Sequence, residues 1–154
     1  MMFHTHLAFG LLSALLTLNY IKPSNKYLFL ILVPLIALIP DIDMHKSKVG
    51  KKAGILSRII EFLFGHRGIF HTVYPAVILF LIFYYLHYNL IAFAILVGYL
   101  SHLLIDGLTV SGVNLLKPLL NLNINGFVKT GSILEHLIFI LLVVFDVVYL
   151  IRIF

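Results

Sequence analysis

Asp41, Asp43, Asp106 and Glu135 stand at the ends of long apolar runs, and His6, His66, His71 and His102 stand at the same ends. The whole chain of 154 residues holds only six acidic side chains, so their gathering beside imidazoles asks for a cause. Ionisable groups near lipid carry a desolvation penalty, and a bound metal ion is the simplest compensation for it. Carboxylate oxygen and imidazole nitrogen both suit divalent cations, and the chain has no cysteine, so nitrogen and oxygen must supply every ligand. Zinc is the first expectation, with manganese or magnesium as alternatives.

The spacing of each cluster narrows this chemistry. Pro40-Asp41-Ile42-Asp43 closes an apolar run. Pro40 disfavours a continuing helix, and two aspartates two apart reach one pocket if the chain there is extended. The competing reading is a helix end capped at the water interface. His102 and Asp106 are four apart in Tyr99–Leu108, which puts both on one helix face within reach of one ion. The competing reading there is a His–Asp hydrogen bond in a polar seam. Gly65-His66-Arg67-Gly68-Ile69-Phe70-His71-Thr72 is the densest cluster, and its two glycines predict a loop-to-helix turn that lets His66 fold back toward His71. The Arg67 fork suits a phosphate or carboxylate, against the plainer role of an interfacial anchor. Ser132 and Glu135 form a capping-box pattern, and Glu135 is also placed to turn inward as a ligand or base. His6 gains weight from this company. His4, His45 and His87 read as ordinary interfacial or loop residues, and His136 as a neighbour of Glu135. Glu61 belongs to a surface helix, and Asp146, inside the last run, receives no catalytic role.

The elements that must position these groups are membrane helices. The chain is 62% hydrophobic and 11% charged, with a mean hydropathy of +1.10, well beyond soluble usage. Five apolar runs stand out: His4–Ile21, Tyr27–Pro40, Ile69–Tyr88, Leu90–Ile105 and Ile133–Phe154. They predict an all-α, polytopic helical membrane bundle of about five transmembrane helices, forming one membrane-embedded domain over residues 1–154. The first run lacks a basic leader and a small-residue cleavage site, so it reads as a retained span. Ile55–Phe64 has apolar residues at helical spacing and predicts an amphipathic interfacial helix. Gly107–Gly131, rich in Gly and Asn, reads as a lid or re-entrant segment.

Alternation of up and down spans then brings the ends carrying His6, Asp41, Asp43, His66, His71, His102, Asp106 and Glu135 to one face. That side carries eight Lys or Arg, against Lys22, Lys26 and Arg152 on the other. The positive-inside bias puts the N-terminus and the site in the cytoplasm of a multi-pass inner (cell) membrane protein. The net charge of +5 belongs to these loops, so the partners expected are membrane lipids and no nucleic acid.

The ordered set Thr5-His6, Pro40-Asp41-Ile42-Asp43, His66-Arg67-Gly68 with His71-Thr72, His102-Leu103 with Asp106 and Thr109, Gly112-Val113, and Gly131-Ser132 with Glu135 resembles the YdjM-like family of inner-membrane, predicted metal-dependent hydrolases. More distantly it resembles zinc-dependent phospholipase C-type proteins. The resemblance covers nearly the whole chain and implies a divalent metal. It carries over His6, Asp41, Asp43, His66, His71, His102, Asp106 and Glu135; Phe70 departs from the hydroxyl residue that often precedes the histidine.

Together these readings predict a one- or two-metal site at the cytoplasmic interface. His6, Asp41, His71, His102 and Asp106 would bind the ion, with Asp43 and His66 joining for a second. Glu135 or Asp43 would act as general base, and Arg67 would hold an anionic group. A site at headgroup level implies an amphiphilic substrate, a phosphoester of a phospholipid or lipid-linked metabolite. The alternatives are a divalent-cation transporter or a non-catalytic metal-binding membrane protein. A transport path needs polar residues through the membrane depth, whereas the far halves of these runs are almost entirely apolar, apart from Asp146.

Overall fold

In the computed structural model, which describes residues 1–43, 48–55 and 68–153, each of the apolar runs contains a helix. Helix α1 spans Phe3–Ile21 and ends where Lys22 adopts a left-handed conformation ahead of Pro23. Helix α2 spans Lys26–Ile36 and starts at Asn25, whose side chain accepts from the Leu28 amide at 3.0 Å. It carries Pro34 and stops at Ala37, and Pro40–Asp43 follows as a 3-10 turn. A short helix α3 covers Lys48–Ala53 in the basic connection. Ile69–His71 forms a second 3-10 turn, and Thr72 in extended conformation separates it from α4, Val73–Tyr85. Helices α5, Asn89–Gly107, and α6, Ile133–Ile153, are unbroken.

The chain is mostly helical, about 70%, with one two-stranded sheet among the described residues. That sheet pairs Val113 with Ile124 and Asn114 with Asn123, antiparallel, inside the segment expected to be a lid. Hydrogen bonds latch the segment to the end of α5: Gly126 N–H donates to the Thr109 carbonyl and Val128 N–H to the Leu108 carbonyl, each at 3.0 Å. Val73 N–H donates to the Leu115 carbonyl at 3.0 Å and tethers the hairpin to the start of α4.

Two described helices are long and apolar enough to cross a membrane, Asn89–Gly107 and Ile133–Ile153. The other expected spans differ for physical reasons. At 11 and 13 residues, α2 and α4 reach only about 17 and 20 Å, because Ala37–Pro40 ends one and Gly68–Thr72 delays the other. Helix α1 is 19 residues long but carries His4, Thr5, His6 and Asn19. Most of the expected surface helix, Ile55–Phe64, lies outside the described residues, as do Glu61, His66 and Arg67.

Helix α5 is the hub, packing against α1, α2 and α4, while α6 packs along α1. Its contact faces are built from small residues, with Ala92, Ala94, Gly98 and Ser101 all buried. A Cβ on Gly98 would stand 2.6 Å from the Val33 carbonyl oxygen, so α2 and α5 touch backbone to backbone there. Phe29, Leu30, Val33, Leu15, Leu18 and Ile95 fill the core beside that crossing. This crossing lies one turn before His102 on α5 and one turn before Ala37 at the end of α2.

Candidate metal centre

Five side chains from four elements meet at the end of this bundle. His6 comes from the start of α1, Asp41 from the 3-10 turn after α2, His71 from the turn before α4, and His102 and Asp106 from the last turns of α5. All are buried, between 0% and 7% exposed, in a protein whose polar groups are scarce. They form two overlapping triads, His6–His102–Asp106 and Asp41–His71–His102, with the donor atoms of each triad within 4.8 Å of one another.

The distances fit a metal ion. His71 Nε2 and His102 Nε2 are 3.3 Å apart, and they lie 3.9 and 3.8 Å from Asp106 Oδ2. Points separated by 3.3, 3.8 and 3.9 Å lie on a circle of radius about 2.1 Å, which is the usual zinc–nitrogen and zinc–oxygen distance. His6 Nε2 approaches the other oxygen of the same carboxylate, Asp106 Oδ1, at 3.4 Å. Its ring stacks on His102 with centroids 4.0 Å apart, and both of its buried nitrogens lack a hydrogen-bond partner. An orphaned buried imidazole beside a carboxylate is costly as it stands and satisfied by a cation.

The surroundings fix the tautomers and directions that ligation needs. His102 Nδ1 lies 2.7 Å from the Ala37 carbonyl. A carbonyl only accepts, so Nδ1 carries the proton and the Nε2 lone pair faces His71 and Asp106. That carbonyl is exposed to His102 because α2 ends at Ala37. His71 rides on a turn held by two hydroxyls: Tyr99 donates to the Phe70 carbonyl at 2.6 Å, and Thr72 donates to the Ile69 carbonyl at 2.6 Å. Thr109 donates to the Asp106 carbonyl at 2.7 Å and closes the end of α5. Burial raises the Asp41 carboxyl above its usual range; His6 and His71 draw it down, and Asp106 pushes it up. The Met1 amino group also contacts Asp106.

Glu135 is fully buried but faces a different set of partners. Its Oε2 accepts from the Gly131 amide at 2.7 Å, and its Oε1 accepts from the Thr5 hydroxyl at 3.2 Å and from the Met2 amide. It therefore ties the start of α6 to the start of α1, one residue from His6. Ser132 caps α6 by accepting from the Glu135 amide at 3.4 Å, while the Glu135 carboxylate reaches Gly131 rather than Ser132. His4 packs edge-on against Phe139 at 4.5 Å between centroids, and His87 sits at the opposite end of the bundle. The Asp43 backbone lies on the same turn as Asp41. Tyr99 and the Ala37 carbonyl were not anticipated. Tyr99 had a signal, since it precedes His102 by three positions and shares its face; a backbone carbonyl has none.

The family model described as YdjM inner membrane protein matches residues 1–153. The chain is 38% identical over 104 residues to the uncharacterized protein YvsG of Bacillus subtilis (strain 168), covering 66% of this chain and 65% of that protein. It is also 38% identical over 91 residues to the inner membrane protein YdjM of Escherichia coli (strain K12), covering 54% of this chain and 46% of that one. The matches thus span less than two thirds of either relative's length. No solved structure matches.

Proposed function

Because the chain belongs to the YdjM inner membrane protein family, we propose that it is a membrane-bound, metal-dependent hydrolase acting on a phosphoester of a phospholipid or lipid-linked substrate. The observation that carries this reading is the convergence of His71, His102 and Asp106 on one point about 2.1 Å from each donor atom, with His6 and Asp41 beside them. Zinc fits the mixed nitrogen and oxygen set best.

The membrane reading has its own support. Helices α5 and α6, at 19 and 21 residues, are about 28 and 31 Å long, close to the roughly 30 Å hydrocarbon thickness. Tyr20, Tyr27, Tyr84, Tyr85 and Tyr88 are all exposed at the end opposite the site, as residues of an interfacial aromatic belt are. In this reading the bundle is multi-pass, the shorter α2 and α4 lie in the same slab, and the metal centre sits at headgroup level on the cytoplasmic side.

When bound, the ion would polarise the phosphoryl oxygen and lower the pKa of a coordinated water toward about 7. The protein's own groups do the rest. Ala37 holds His102 in the ligating tautomer, and Tyr99 and Thr72 hold the turn that aims His71. Glu135 accepts from several donors and serves as the anchor of α1, which leaves Asp43, two residues after Asp41 in the chain, as the general base. Arg67 would bind the anionic group of the substrate and stabilise charge that develops during cleavage.

Elemental analysis of the purified protein tests the metal, using wild type, His102→Ala and Asp106→Ala. Wild type should carry stoichiometric metal and both variants should lose it; full retention in both overturns the site. A phospholipase and lipid-phosphatase screen on the same preparations tests the reaction. Metal without turnover of any phosphoester would instead support a non-catalytic metal-binding protein.

A further inference from the structure

Beside the metal centre lies a slot of about 90 Å³ lined almost wholly by hydrocarbon. Its walls are Leu100, Leu103 and Leu104 on α5, Val73 at the start of α4, and Val113 and Ile124 on the hairpin above. On α5 the slot residues are centred about 130° round the helix from His102 and Asp106, so the slot is reached round the end of α5 from the ligand candidates. Leu103 follows His102, Gly107 follows Asp106, and Val73 is two residues from His71. The slot and the ligands therefore share the same turns of backbone.

Three features point to what enters it. The lining offers almost no polar surface, so a headgroup or a water cluster would lose its hydrogen bonds there. Leu104 is 65% exposed and marks the side open to the bilayer. The hairpin segment presents Leu119, Leu120, Leu122, Ile124 and Phe127 to the outside, an apolar collar suited to lipid rather than water. Gly107 keeps the floor open: a Cβ there would meet Ile124 at 3.4 Å and Val113 at 3.9 Å.

We infer that this slot holds a hydrocarbon chain of the substrate lipid, so that chain and phosphoester are recognised side by side, an inference that rests on the lipid-phosphoester reading of the metal centre. The chain enters past Leu104 from the leaflet. Affinity should rise about fourfold per methylene, as the burial of each CH₂ predicts, until the slot is full, and then level off.

The protein contains no tryptophan, so a single one reports cleanly. Leu104→Trp would place it at the mouth of the slot without filling it, and Val144→Trp on the exposed face of α6. Each purified protein, in unbrominated detergent, is titrated with a phosphatidylglycerol brominated on its chain. Saturable quenching at Leu104→Trp, against unsaturable quenching at Val144→Trp, is expected. Adding Val113→Phe should reduce the saturable phase at least tenfold in affinity. Equal, unsaturable quenching at both positions overturns the inference; Leu104 and Val144 are both exposed, so neither variant disturbs the core. Saturable quenching without hydrolysis would refute the catalytic reading alone. Hydrolysis that is insensitive to chain length, with no saturable quenching, would refute the slot alone.

Discussion

His102 is the residue on which both triads depend, and its competence rests on a single carbonyl at the broken end of α2. The neighbouring ligand His71 depends in the same way on Tyr99, which donates to the Phe70 carbonyl from one turn before His102. Groups that orient metal ligands typically change affinity by 10–100-fold when removed. Tyr99→Phe should therefore weaken metal binding roughly tenfold while the helical circular dichroism stays unchanged. Competition with a chelator of known affinity measures it, and an unaltered constant would mean the turn holds His71 without help. At this scale the sequence was informative wherever chemistry and rarity coincided: Asp41, His71, His102 and Asp106 stood out because carboxylates and imidazoles are few. It was uninformative about Glu135, whose type allows base, ligand or anchor. Only its partners, the Gly131 amide and Thr5 hydroxyl, distinguish these roles.

Helices α2 and α5 set the site through one close crossing. Gly98 lies against Val33, and Ala37, which orients His102, is one turn further along α2. Gly98→Val would drive a side chain into the Val33 carbonyl and force the helices apart. Overpacking of this kind costs about 1–3 kcal/mol. The variant should lose both melting temperature and metal affinity, whereas a purely local packing defect would lower the melting temperature with metal still bound. Helix position was legible from the apolar runs, all five of which contain helix. Helix length was not. Pro34 was visible in the sequence, but that α2 would stop at Ala37, and α4 would wait for Val73, depended on which carbonyls found partners in tertiary contacts.

Across the whole molecule, the ligand candidates gather at one end and the exposed Tyr20, Tyr27, Tyr84, Tyr85 and Tyr88 at the other, with apolar side chains between them. A one-sided site predicts opposite accessibility of the two ends. The chain has no cysteine, so Asn125→Cys near the hairpin and Tyr85→Cys at the far end are clean reporters. In sealed right-side-out vesicles a membrane-impermeant maleimide should label the far-end cysteine and leave the hairpin cysteine unlabelled until the membrane is opened. Labelling of both in sealed vesicles would argue against a bundle that crosses the membrane. The sequence by itself singled out which groups are equipped for chemistry and that helices must carry them, because polar residues are scarce enough for their positions to be read against an apolar background. Only the tertiary structure decided that His6, Asp41, His71, His102 and Asp106 share one pocket while Glu135 turns away to anchor α1. The distances of 3 to 4 Å that ligation needs are set by helix crossings and chain breaks, which depend on contacts between residues far apart in the chain.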